Sequence, residues 1–147
     1  MSIVDKIKIR KVKNKNELNK VFEIRTNVFV KEQKVPIDLE LDGLDQEADH
    51  FVVYLDNKMI GCARIRKNKD FAKLERIAIV KEQRNKGFGK QLTKFLIDYC
   101  KQKKFNEIRL HSQVYVSDFY KKLGFKPVGE NFFEAGIEHK EMYMKVN

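Results

Sequence analysis

Hydrophobic positions alternate with polar ones over residues 6–12, with Ile7 and Ile9 on one face and Val12 near the end, which predicts a first strand. Asn14 followed by Glu17 is a capping pair, and Leu18, Val21, Phe22, Arg25, Val28 and Phe29 then share a helical face up to a stop before Pro36. Two strands, residues 50–55 and 59–66, flank the Asp56-Asn57-Lys58 turn. After a polar turn at residues 67–70, an apolar β-branched run through Leu74, Ile77, Ile79 and Val80 completes a three-stranded antiparallel meander. Phe88, Leu92, Phe95, Leu96, Tyr99 and Cys100 recur at helical spacing. A strand at 107–111, a short helix at 116–123 stopped by Gly124, and strands at 125–128 and 140–146 finish the chain. This order predicts an α/β fold, a mixed sheet with helices on both faces. At 147 residues, with no repeat or linker, one domain spanning 1–147 is expected.

The turn between the third meander strand and the long helix carries Gly87 and Gly89 among Lys81, Arg84, Lys86 and Lys90. Glycine lets the backbone approach a ligand, and a helix start offers unpaired N–H groups at the positive end of its dipole, so the place suits phosphate. A Walker loop would need glycine at Arg84 and a hydroxyl at Gln91; a dinucleotide fingerprint would need glycine at Leu92. A different phosphate loop and a merely basic turn with a glycine helix start are the readings left open by these residues alone.

Composition narrows the classes. A hydrophobic content of 42% with 35% charged residues is that of a soluble globular protein. No apolar run reaches membrane-spanning length and residues 1–12 mix charge with aliphatics, unlike a signal peptide, so a cytoplasmic protein is expected. Cys62 and Cys100 fall in apolar patterns as buried thiols, and no metal site is expected. The net charge of +10 calls for a polyanionic partner, and its distribution is uneven. Asp38, Glu40, Asp42, Asp45, Glu47 and Asp49 form a stretch without a base, while residues 81–104 hold eight bases against Glu82 and Asp98.

The segment Arg84-x-x-Gly87-x-Gly89 after an apolar strand resembles the pyrophosphate loop of the GCN5-related N-acetyltransferases (GNAT). The run Phe119-Tyr120-Lys121-Lys122-Leu123-Gly124-Phe125, about thirty residues on, resembles the FYxKxGF segment after that family's fifth strand. Arg25-x-x-Val28-Phe29-Val30-x-Glu32-Gln33 followed by Pro36 and the acids, His111-Ser112-Gln113, and Glu134-x-Gly136-Ile137-x-His139 are similar to the ElaA-like branch. The resemblance implies a GNAT fold: a mostly antiparallel sheet of six to seven strands, splayed between strands four and five. It also implies acetyl-CoA as co-substrate, an amine acceptor, and room for a homodimer, since dimers are common in the family.

Transfer of acetyl to an amine needs a route for the ammonium proton, an N–H for the developing oxyanion and a proton for the leaving thiolate. The resemblance implies that the pantetheine arm lies along Ile77, Ala78 and Ile79. It sets the pyrophosphate on the amides of Arg84, Asn85, Lys86, Gly87, Phe88 and Gly89 beside Lys90, and Gln113 where relatives place an asparagine on the cofactor. Tyr120 maps to the usual acid, at the cofactor's sulfur; its alternative is a core aromatic beside Phe119. Glu75 and His111 are the base candidates, weighed against an ion pair of Glu75 with Arg64 or Arg66 and a hydrogen-bonded sheet histidine. The stretch Asp38-x-Glu40-x-Asp42-Gly43 with Asp49 partly resembles an EF-hand loop, but Glu at the third position, Asp at the twelfth and a following strand argue against calcium. Its carboxylates either draw a cationic amine to the acceptor cleft or form a solvated loop. The functional rivals are nucleic-acid binding through the basic helix, for which no zinc spacing, RNP-like segment or helix-turn-helix is present, and a CoA-binding regulator without transfer.

Overall fold

The computed structural model describes residues 7–146; Lys6, the expected start of the first strand, lies outside the described residues. The elements are β1 (Ile7–Lys11), α1 (Lys15–Arg25) with a π-helical continuation (Thr26–Glu32), α2 (Ile37–Glu40), β2 (Asp49–Leu55), β3 (Lys58–Lys67), β4 (Phe71–Ile79), α3 (Phe88–Gln102), β5 (Glu107–Gln113), α4 (Ser117–Lys122), β6 (Lys126–Glu134) and β7 (Ile137–Lys145). One seven-stranded sheet runs in the order β1-β2-β3-β4-β5-β7-β6. The pairs β1–β2, β5–β7 and β6–β7 are antiparallel, whereas β4 and β5 are parallel. The parallel ladder joins Phe71–Leu74 to Glu107–Leu110 and ends there, although β4 continues to Ile79 and β5 to Gln113. This is the architecture expected from the sequence, including the parting of strands four and five.

The chain divides into two compact units, Met1–Arg64 with Arg76–Thr93, and Ile65–Glu75 with Lys94–Asn147, with boundaries inside β3, β4 and α3. In the first unit Asn14 caps α1 as its side chain accepts from the Glu17 amide at 2.9 Å. Val21, Ile24 and Val28 then pack with Val52, Cys62 and Ala78. Phe51 and Val53 are equally buried but alternate to the opposite face, so β2 is covered on both sides. Glu17 departs from the usual capping box. It accepts from the Lys13 amide, from Arg10 at 2.8 and 2.6 Å and from the Tyr54 hydroxyl at 2.7 Å, which ties the start of α1 to β1 and β2.

In the second unit β5 alternates strictly: Ile108, Leu110 and Ser112 are buried, while Glu107, Arg109, His111 and Gln113 stand on the other face. Across the ladder Arg109 faces Tyr143, His111 faces Glu141 and Gln113 faces His139. The last two strands are much longer than the pattern predicts. Residues 129–139, expected as a connection, belong to a hairpin whose turn at Ala135 and Gly136 has positive φ at both residues, with an irregularity between Val128 and Phe132. Such two-residue turns match the twist of the strands they join. Gly129 and Pro127 masked the strand, and β6 is almost wholly exposed, so no alternation signalled it.

Cys62 and Cys100 are fully buried free thiols, and burial pushes both up to about 12. No helix among the described residues is long and apolar enough to cross a membrane.

Glu17 generates a pH prediction. The Arg10 guanidinium holds its carboxyl down to about 2, so its stabilisation is complete above the ordinary value of 4.5 and fades as pH falls towards 2. Glu17→Gln is expected to lower stability by about 1–3 kcal/mol at pH 7, and the gap to wild type should shrink at pH 2.5. Urea unfolding midpoints at the two pH values check this; a gap that is constant with pH contradicts it.

Candidate active site

After β4 the chain makes a 3-10 turn, Lys81–Gln83, an extended residue at Arg84, and then left-handed residues at Asn85 (φ 64°) and Gly87 (φ 86°) before α3 begins at Phe88. The Gln83 and Arg84 amides bond to Val80 O and Lys81 O at 2.9 and 3.3 Å, and the Gln91 amide to Gly87 O at 3.1 Å. Between them, the amides of residues 85–90 have no partner among the described residues. The free run therefore begins one residue later than expected, because the Arg84 amide is already used. Asn85, Lys86 and Gly87 are exposed, and a Cβ built on Gly87 meets nothing within 4 Å. Phe88 is buried and fixes the helix start, and the first turn holds no acid. A run of outward N–H groups, the helix dipole and Lys86 and Lys90 form an anion cradle.

The Arg84 side chain is not part of that cradle. Its Nε donates to Ile79 O at 2.8 Å, and its terminal nitrogens meet both carboxylate oxygens of Glu32 at 2.9 and 3.1 Å. It rivets the loop to the end of β4 and to the π-helical segment. As a result the Ile79 carbonyl is occupied.

Along β4, Arg76 lies in the left-handed region (φ 56°) in mid-strand, a conformation costly for a residue with a Cβ. Its guanidinium reaches back to the acidic stretch. Nη2 donates to Glu40 O at 3.0 Å, and Nε faces Glu40 Oε2 at 2.6 Å as an ion pair without the alignment of a hydrogen bond. Arg25 and Arg64, both at the bottom of the core, complete the cluster. Arg25 binds Glu40 Oε1 and Asp45 Oδ1 at 2.9 and 2.7 Å; Arg64 takes both oxygens of Asp42 at 3.0 and 2.8 Å and Asp45 Oδ1 at 2.9 Å. Hydrogen bonds from Arg64 hold the Asp42 carboxyl well below the usual range. For Asp45 burial pulls upward, but Arg25 and Arg64 together hold it low. Glu40 is thus a buried counter-ion, and Asp42 an exposed residue whose carboxylate is tied to Arg64. Of Asp38, Glu40 and Asp42 only Glu40 is buried, and Asp38 is exposed without an ion pair to a core arginine among the described residues. No group of three or more His, Cys, Asp or Glu among the described residues is arranged to hold a metal.

In the second unit Tyr120 on α4 is half-buried, edge-on to Phe119 and Phe125 at 5.0 and 5.9 Å, and burial pushes its phenol up to about 12. Its hydroxyl has no hydrogen-bond partner among the described residues. Glu75 is gripped by Arg66 at 2.6 and 3.1 Å and by Lys73 at 3.3 Å, the ion-pair alternative weighed for it, with Arg66, of the two arginines named, as the partner. His111 stands between carboxylates of two other strands: Nδ1 is 2.9 Å from Glu134 Oε2, and Nε2 is 3.8 Å from Glu141 Oε2. Gln113 ends β5 opposite His139.

The sequence profile described as acetyltransferase (GNAT) domain matches residues 12–146. The chain belongs to the GNAT acetyltransferase family. A Bacillus subtilis protein named uncharacterized N-acetyltransferase YjcF is 38% identical over 131 residues, covering 88% of this GNAT chain and 94% of its own. The crystal structure of Escherichia coli ElaA superposes with a TM-score of 0.84 at 24% identity over 97% of this chain and 100% of that one. A Bacillus subtilis acetyltransferase solved in complex with CoA gives a TM-score of 0.72 at 19% identity, covering 95% and 99%.

Of the positions expected in this GNAT domain's site, Ile77, Ala78 and Ile79 and residues 84–90 are gathered in the first unit, with Arg84 as their tie. His111, Gln113, Tyr120 and Glu75 belong to the second. Two features escaped the linear reading. The left-handed turn at Arg76 has no local marker, and the Glu134 and Glu141 partners of His111 lie more than twenty residues from it; only the Glu134-x-Gly136-Ile137-x-His139 segment hinted at them.

Breaking a buried ion pair from one side leaves an uncompensated charge, at about 3–5 kcal/mol. Glu40→Gln is therefore expected to lower the urea midpoint sharply, whereas Asp38→Asn should leave it nearly unchanged. Equal midpoints for the two variants would contradict the counter-ion role of Glu40.

Proposed function

We propose that this chain, as one N-acetyltransferase domain, transfers the acetyl group of acetyl-CoA to a primary amine by direct attack in a ternary complex. The observation that carries the reading is the run of unpartnered amides over residues 85–90 at the mouth of α3. The first turn of any helix leaves N–H groups without partners, and here the left-handed residues Asn85 and Gly87 extend that row beside lysines, which fits a diphosphate. That a relative of the same fold was solved with CoA supports the choice of ligand. In this reading the backbone of Ile77 and Ala78 lines the pantetheine arm.

Tyr120 supplies the proton for the departing thiolate. A phenol raised to about 12 stays protonated at neutral pH, and its hydroxyl is not committed to another protein group. No covalent enzyme intermediate is needed: the amine nitrogen attacks the thioester carbon, the C–S bond breaks, and sulfur takes the proton. Arg84 acts by holding the loop, and Glu75, held by Arg66 and Lys73, keeps that part of the sheet in place.

A screen of amine acceptors with detection of released CoA thiol tests the reading. Gly87→Glu puts bulk and negative charge where the phosphates would lie and clashes with no protein atom, so it is expected to abolish acetyl-CoA binding while the fold persists. Tyr120→Phe is expected to lower kcat by about 10- to 100-fold with acetyl-CoA affinity kept. Acetyl-CoA binding with no thiol release over a broad panel of amines would overturn the transferase reading, and undiminished turnover in Tyr120→Phe would remove the tyrosine from it.

A further inference from the structure

Acetyl transfer to an amine cannot begin until the acceptor's ammonium, with a reference pKa of about 10.4 for a lysine-type amine, gives up a proton. Glu75 is a poor taker, because Arg66 and Lys73 stabilise its ionised form. His50 is buried with Nε2 against Asp45 O at 2.9 Å, and His139 places Nδ1 2.7 Å from Ile137 O. His111 is different: its side chain is 26% exposed on the polar face of the sheet.

An ionised carboxylate can only accept a hydrogen bond, so Glu134 Oε2 at 2.9 Å requires the ring proton on Nδ1 and leaves the lone pair of Nε2 pointing away. The Phe132 ring, edge-on at 4.8 Å and 72°, restricts rotation of the imidazole. Glu141 Oε2, at 3.8 Å from Nε2, is too far for a hydrogen bond yet close enough to favour a cation beside that nitrogen. The charged groups facing this pair come from four strands. They are Lys73 of β4, Arg109 of β5, Glu134 of β6, and Glu141 and His139 of β7; Arg109 is itself bound to Glu107 and lies 3.6 Å from Glu141.

Building on the acetyl-transfer reading above, we propose that His111 is the base that deprotonates the acceptor, with Glu134 as its positioning residue and Glu141 drawing the ammonium to Nε2. The proton balance closes. The ammonium gives one proton to Nε2, the free amine forms the C–N bond as the C–S bond breaks, and the nitrogen's second proton ends on the CoA thiol by way of Tyr120. The imidazolium, stabilised through Nδ1–H to Glu134, returns its proton to water before the next cycle. The arrangement selects acceptors that arrive as cations.

Two measurements test this. The chain has three histidines, so each ring can be assigned by NMR with single variants, and Glu134→Gln is expected to lower the share of the Nδ1–H tautomer read from the His111 ring nitrogen shifts. An unchanged tautomer would end the positioning role of Glu134. With an acceptor from the thiol-release screen at saturating acetyl-CoA, His111→Gln is expected to drop kcat/KM at neutral pH by about 100-fold or more, with acetyl-CoA affinity unchanged, and to regain rate as rising pH supplies the free amine. Glu134→Gln should lower kcat in the same sense with acetyl-CoA affinity unchanged. His111→Asn serves if the glutamine variant fails to fold. A transferring wild type with an equally active His111→Gln overturns the base assignment alone, whereas a wild type that binds acetyl-CoA and acetylates nothing overturns the transferase reading and the base together.

Discussion

Three guanidinium groups sunk into the first compact unit impose the strongest constraint on this protein. Arg25 and Arg64 are among the most buried side chains described, and a charge so placed persists only with counter-ions at contact distance. Glu40, Asp42 and Asp45 meet that demand. In doing so they fold the acidic stretch inward and engage Arg76, whose left-handed backbone interrupts β4 just before Ile77. The local cost of that conformation, about 1–3 kcal/mol, is offset by the network around it. A segment whose surface is largely exposed is therefore tied through its carboxylates to the arginines of the core and of β4.

Next to this rigid part lies a stretch of backbone left deliberately short of partners. The loop over residues 85–90 keeps its shape through Arg84, Phe88 and Gly87 rather than through its own amides, which stay outward. Shape is thus maintained by side chains and by one positive-φ glycine, and the hydrogen-bonding capacity of the main chain is reserved for a ligand. Arginine in that sequence motif secures the loop; the amides that follow it face solvent.

Most of the fold was legible because helices α1 and α3 bury one face each, which leaves a period in the sequence, while β2 and β3, covered on both faces, read as short apolar runs bounded by turns. The glycine loop was legible because Gly87 marks a positive-φ position next to a helix start, where a residue with a Cβ is strained. What was hidden involved partners remote along the chain. Arg25, Arg64 and Arg76 look like ordinary strand and helix positions until Glu40, Asp42 and Asp45 are brought to them, and His111 acquires Glu134 only through a hairpin whose exposed strand carries no alternation. Glu75 was readable only as a choice between two roles, and the register of Arg66 beside it supplies the ion pair.

Cys62 and Cys100 sit in apolar surroundings that keep both sulfurs protonated. Sulfur exchange proceeds through a thiolate that can be reached, and this protein offers neither the anion nor the access. A chain whose proposed chemistry sets free one mole of mercaptan per turnover keeps both sulfurs from exchange with that by-product once it has been oxidised to a disulfide, for as long as the core stays closed.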